Sequence, residues 1–260
     1  MIQRRRFITQ AAASCFPALA GLAAVCVPRP AAGAGLGDQL EGLIKGRPGK
    51  LSVALVDTTG SIAAEDWQLY ERAMQALLAG AKPGDRIVLG EVADRPASRF
   101  IAHADHRFAN AGNTMQDEVR GRRTRQALKA DFETLRKPKG APARATCILD
   151  AVAAAAEVLA QGRQAGQALQ LLVLSDMIEE SPLANFEREK VTPGVTERVL
   201  GQLRQRRLLP SLSGVQVHVV GASGRSAEHM MQVKGFWLAY FAAAGAQVGS
   251  YGRAPLSMPV

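Results

Sequence analysis

Asp57, Thr59 and Ser61 stand at alternate positions in LSVALVDTTGSI, directly after a run from Leu51 to Val56 that is apolar except at Ser52. One carboxylate and two hydroxyls are hard oxygen donors, suited to Mg²⁺ or Mn²⁺ rather than to Zn²⁺. Two further positions extend the set. Thr146 opens the helical pattern Thr-Cys-Ile-Leu-Asp-Ala-Val, and Asp176 follows the run Leu171-Leu172-Val173-Leu174-Ser175. Two carboxylates and three hydroxyls are consistent with an octahedral cation site that keeps some waters. Each residue also has an ordinary use. Asp57 and Thr146 are good helix caps, Thr59 and Ser61 good turn formers, and Asp176 a plain loop acid.

The five can meet only if the chain brings three loops to one sheet edge. The elements read from the sequence do so. Leu51–Val56 reads as a buried parallel strand, because it is near-continuously apolar, with Ser52 the one polar residue, rather than alternating. Glu65–Leu78 carries Trp67, Leu69, Tyr70, Met74, Leu77 and Leu78 at helical spacing and ends at Gly80. Arg86–Val92 is a strand, and Ser98–Ala104 a shorter edge strand. Asn113–Lys137 is a polar, basic helix with a solvated face. Thr146–Gln161 is an Ala-rich helix, Leu169–Ser175 a strand, and 176–195 a long loop. Thr196–Arg207 is a helix, Val215–Gly221 a strand, Ser226–Ala244 a helix and Ala246–Tyr251 a last strand. Strands alternate with helices throughout. The expected fold is α/β, a doubly wound, mostly parallel sheet with helices on both faces. Such sheets place ligands beyond the carboxyl ends of their strands.

The 260 residues, 47% of them hydrophobic, suffice for one sizeable core. Residues 1–34 read as an export signal, 35–50 as a linker and 51–260 as the folded domain. Arg4, Arg5 and Arg6 precede an apolar, Ala-rich stretch from Ala11 to Val27, and small residues follow at Ala31-Ala32-Gly33-Ala34. Arg4-Arg5-x-Phe7-Ile8 resembles the twin-arginine pattern, which points to a periplasmic or secreted destination. Leu22-Ala23-Ala24-Val25-Cys26 loosely resembles a lipidation site, with Val25 a poor fit before the Cys. Cleavage after Ala34 would lower the formal charge from +9 to +5, too little to argue for nucleic acid. Cys147 would then be the one remaining cysteine, so no disulfide forms within that chain.

Enzymes that share parts of this pattern each lack a residue. Haloacid-dehalogenase-type phosphoryl transfer needs a second Asp two positions after the first, where Thr59 stands and does no proton work. Asp-Thr-Thr-Gly-Ser is one residue away from the aspartic-protease signature, and no second copy supplies the carboxylate pair. No Ser elbow with a matching His points to a subtilisin-like hydrolase. His103-x-x-His106 alone is not a full set of metal ligands and reads as strand surface. His218 reads as a core residue, and Gly221-Ala-Ser-Gly224 as a strand-to-helix turn without the Lys of a nucleotide loop. Gly235-Phe-Trp-Leu-Ala-Tyr-Phe241 reads as core packing.

Asp57-x-Thr59-x-Ser61, Thr146 and Ser175-Asp176 together resemble the von Willebrand factor A-type (integrin I-like) domain. Thr59 stands where that family's metal-ion-dependent adhesion site has its first Ser, and keeps the hydroxyl. Met177 stands where the family usually has Gly, with Glu179 and Glu180 close behind. The resemblance spans residues 50–251. It implies a Mg²⁺ ion whose open position takes an acidic side chain from a protein partner, and so binding rather than catalysis. The alternatives are a scaffold with an empty site and a Mg²⁺-dependent phosphoryl hydrolase.

Overall fold

The computed structural model describes residues 48–92, 102–137 and 145–254, all within one compact unit, Lys45–Val260. The expected signal, most of the linker and the start of the Ser98–Ala104 strand lie outside the described residues.

Among the described residues, eight strands and five helices follow one another: β1 (Lys50–Asp57), α1 (Ala64–Ala79), β2 (Arg86–Val92), β3 (Ala102–Arg107), α2 (Thr114–Arg136), α3 (Ile148–Gln164), β4 (Ala168–Leu174), β5 (Glu180–Ser181), β6 (Ala184–Asn185), α4 (Pro193–Gln205), β7 (Val215–Val220), α5 (Ala227–Ala243) and β8 (Gln247–Gly252). Six strands form one sheet in the order β3-β2-β1-β4-β7-β8. All neighbours in it are parallel except β2 and β3. The fold is the expected doubly wound α/β sheet.

Residue alternation along the strands feeds two cores. Leu51, Val53 and Leu55 of β1 join Leu169, Leu171 and Val173 of β4 beneath α3, α4 and α5. Ala54 and Val56 turn the other way and pack with Leu172, Leu174 and residues of α1 and α2. Both faces of β1 are therefore covered, which is why Leu51 to Val56 is apolar except at Ser52, whose buried hydroxyl donates to Gln170 Oε1 at 3.0 Å. Burying so much aliphatic surface supplies the main driving force for the fold.

Helix ends follow local chemistry. Asn113, Thr192 and Ser226 each accept a hydrogen bond from a backbone N–H of the helix they precede. Pro193 opens α4, where a missing N–H costs nothing. The edge strand β3 carries a bulge: Leu89 pairs with Ala104 and Gly90 with Ala102, leaving His103 unpaired. The extra residue reverses the pleat locally, so His103 and His106 both reach Asp131 of α2, at 3.1 Å to its carbonyl and 2.7 Å to its carboxylate. The two histidines thus dock a helix onto the sheet edge.

Candidate cation site at the sheet edge

The strand order runs outward from β1 through β2 to β3, then restarts on the other side of β1 with β4. The gap between the tips of β1 and β4 is the topological switch point, where doubly wound sheets open a crevice. Asp57 is the last residue of β1, and Asp176 lies two residues past the end of β4.

All five residues singled out in the sequence meet there. Asp57 is fully buried. Its Oδ1 accepts from the Thr59 hydroxyl at 2.6 Å and the Thr59 amide at 3.0 Å. Thr59 Oγ1 lies 3.1 Å from Ser61 Oγ, and Thr146 Oγ1 donates to Thr59 Oγ1 at 3.2 Å. The Ser61 side chain supports the Asp176 carboxylate, whose Oδ1 also accepts from the Ile178 amide at 2.9 Å. Thr146 precedes α3 rather than opening it, since the helix begins at Ile148. Its carbonyl is held by the amide of Glu180 at 2.8 Å. That bond ties the Thr146 segment to the loop after β4.

Burial pushes the Asp57 carboxyl above the ordinary carboxylate range, against the hydrogen bonds from Thr59 and Ser175. Burial, and then the neighbouring Asp57 charge, push Asp176 up to about 6. Two carboxylates held together out of water disfavour each other's ionisation, and a nearby cation reverses that preference. Among the described residues no group of three or more His, Cys, Asp or Glu side chains stands at metal-holding spacing. A cation site here must therefore draw on hydroxyls as well as carboxylates. The donor set at the switch point has that composition and fits a hard divalent ion.

Three contributors that the sequence shows only as neighbours of Asp176 were not proposed as site residues. Ser175 Oγ donates to Asp57 Oδ2 at 2.7 Å and accepts from the Met177 amide at 3.0 Å. Met177 holds φ at +68°, a region that favours glycine. The backbone thus keeps a glycine-like turn although the side chain is methionine. The Met177 side chain is fully buried, and its carbonyl accepts from the Trp237 indole at 2.9 Å. Glu179 is fully buried too, and its Oε2 accepts from the Leu149 amide in the first turn of α3 at 3.0 Å. The 176–195 segment is more ordered than a plain loop, because β5 and β6 pair within it.

The other sequence readings fall where core chemistry puts them. His218 is 2% exposed, and its Nδ1 lies 2.9 Å from Ser250 Oγ. Phe236, Trp237, Tyr240 and Phe241 form an aromatic cluster with Phe186 under the loop after β4. Gly221 to Gly224 is a turn between β7 and α5, and the Ser223 amide donates to the Asp176 carbonyl at 3.1 Å.

No protein-family model matches the chain, and no curated protein matches it in sequence. Among solved structures it is similar to the manganese-loaded TRAP protein of Plasmodium vivax, at 16% identity and a TM-score of 0.35, over 78% of this chain and 69% of that one.

Proposed function

We propose that the chain is a von Willebrand factor A-type binding protein that holds Mg²⁺ or Mn²⁺ through Asp57, Thr59, Ser61, Thr146 and Asp176. One observation carries this reading: oxygen-bearing side chains from three separate loops converge at the switch point of the sheet, joined by hydrogen bonds of 2.6 to 3.2 Å. Asp57 and Asp176 supply the charge, and the three hydroxyls supply neutral oxygens. Bound there, the ion would offer a Lewis-acidic position to an acidic side chain of a partner protein. Ser175 orients Asp57, and the Ile178 amide orients Asp176. The Arg4-Arg5 signal supports export, so the partner belongs to the bacterial envelope or its surroundings.

The test is a thermal melt in Mg²⁺, in Mn²⁺ and in chelator. A bound ion raises the melting temperature by mass action. No shift at millimolar ion rules the site out. Where a shift occurs, capture of a partner that is lost in Asp57→Ala supports binding, whereas turnover of a phosphoester that is lost in the same variant supports the hydrolase.

The mutual hydrogen bonds of Thr59, Ser61 and Thr146 favour a second reading. They satisfy the hydroxyls without an ion, as a scaffold with an empty site requires. A melting temperature unchanged by both ions and by chelator is its signature.

A further inference from the structure

Arg120, Arg122, Arg123, Lys129 and Arg136 are exposed on α2, with Lys137 directly after the helix, against one exposed carboxylate, Glu118; Asp131 and Glu133 are half-buried. None of these six cations forms an ion pair among the described residues. Arg125 is the exception on this helix: its guanidinium turns inward and donates to the carbonyls of Leu78 and Ala81 at 3.0 and 2.9 Å. That anchor fixes which side of α2 faces out. Two apolar side chains share the outer side. Met115 is 77% exposed and Val119 37%. Their i, i+4 spacing puts them on one line with Arg122 and Arg123.

We propose that this face of α2 docks on an anionic lipid surface. The cations are spread along a helix of 23 residues, roughly 35 Å. At about 100° per residue, Arg122, Arg123, Lys129 and Arg136 fall on one side of it, so a plane of anionic headgroups meets these together, whereas a short acidic peptide meets fewer of them. Met115 and Val119 lie at one end of the row, where they dip between headgroups in the manner of an interfacial helix. No helix among the described residues is long and apolar enough to cross a membrane. The end of the helix that carries Met115 and Val119 lies away from the candidate cation site. β3 runs antiparallel to β2 and ends with Arg107 opposite Arg86, the first residue of β2. α2 therefore starts at the opposite sheet edge from Asp57.

The experiment uses the full chain, vesicles of phosphatidylcholine alone or mixed with phosphatidylglycerol, and poly-glutamate as an acidic polymer. Met115→Trp makes the readout local, which matters because Arg4 to Arg6 and the apolar stretch after them bind lipid by the same chemistry. Its emission should shift to the blue with phosphatidylglycerol and be quenched by the brominated form of that lipid, and do neither with phosphatidylcholine alone. Each cation near an anionic surface is worth about a fivefold gain in binding. Arg122→Glu with Arg123→Glu in the Met115→Trp background should therefore weaken the vesicle-induced shift more than tenfold, and added salt should weaken it in the parent. These positions are exposed, so an unchanged circular dichroism spectrum verifies the fold. Vesicle binding without quenching at position 115 overturns the proposal. So does a shift produced by poly-glutamate and not by vesicles, which would assign the face to an acidic protein.

Discussion

Gly221 leaves the space that the Tyr70 ring fills beneath the sheet edge. A Cβ at position 221 would fall 2.6 Å from Tyr70 Cε1 and 3.1 Å from the Ser175 carbonyl. Gly221 also holds φ at +97°, where a side chain is strained. Tyr70 is fully buried, and Ser175 carries the hydroxyl that holds Asp57. The glycine therefore sets the floor of the candidate site. Gly221→Ala should destabilise the protein by about 2–4 kcal/mol, combining overpacking with backbone strain. Denaturant unfolding measures it, and a loss under 1 kcal/mol (roughly the penalty for φ alone) would show that Tyr70 yields without strain.

Asp57→Asn separates stability from binding. Burial raises the Asp57 carboxyl, so its ionised form costs stability at neutral pH in the ion-free protein. The neutral amide keeps an acceptor for Thr59 and removes that cost. The variant should melt at or above the parent in chelator. In the parent, Mg²⁺ at a hundred times its dissociation constant should add about 2.7 kcal/mol, and in the variant nothing. A variant that keeps the Mg²⁺ gain would place the ion elsewhere.

The same gain should depend on pH. The Asp176 carboxyl is pushed up to about 6 by burial and by Asp57. Below that value a proton occupies the oxygen an ion would need. The Mg²⁺-induced rise in melting temperature should therefore be full at pH 7.5 and shrink steadily towards pH 5. Equal rises at both pH values would remove Asp176 from the ligand set.

Glu179 makes a pH prediction that needs no metal. Burial pushes its carboxyl up to about 8, above the ordinary carboxylate range. The folded state then binds a proton that the unfolded chain releases above the ordinary value. Stability is greatest at low pH by this term, declines above the ordinary carboxylate value and is lost as pH rises through about 8. Glu179→Gln keeps an oxygen for the Leu149 amide and cannot ionise. Melting temperatures from pH 6 to 9 should fall for the parent and stay flatter for the variant. Parallel slopes would show that Glu179 is ionised at low cost.

β1 was legible because both of its faces are covered, which leaves Leu51 to Val56 apolar except at Ser52. Asp57, Thr59 and Ser61 were legible with it, since their spacing is local. Thr146 and Asp176 were found by their places beside helix and strand patterns, although α3 starts two residues later than the pattern suggests. β3 was harder. Its residues are half exposed, and the bulge at His103 breaks the alternation that reveals a strand. Ser175 was read only as the residue before Asp176; its bond to Asp57 was not legible, because the two lie 118 residues apart. Glu179 read as a loop acid beside Glu180, because nothing in a pair of glutamates tells which one the fold will bury. Met177 looked like a departure from a glycine turn. The backbone conformation shows that the turn survived the exchange.

Met177 and Trp237 also give the protein an optical readout of its own. The chain has two tryptophans. Trp67 is partly exposed on α1, while the Trp237 indole is wholly buried and bonded to the carbonyl beside Asp176. Any event that moves the loop carrying Asp176 must lengthen or tilt that bond. The red edge of the protein's emission follows Trp67, and the blue edge follows Trp237. Ligand arrival at the sheet edge can thus be watched in unlabelled protein, in real time, from within the hydrophobic core.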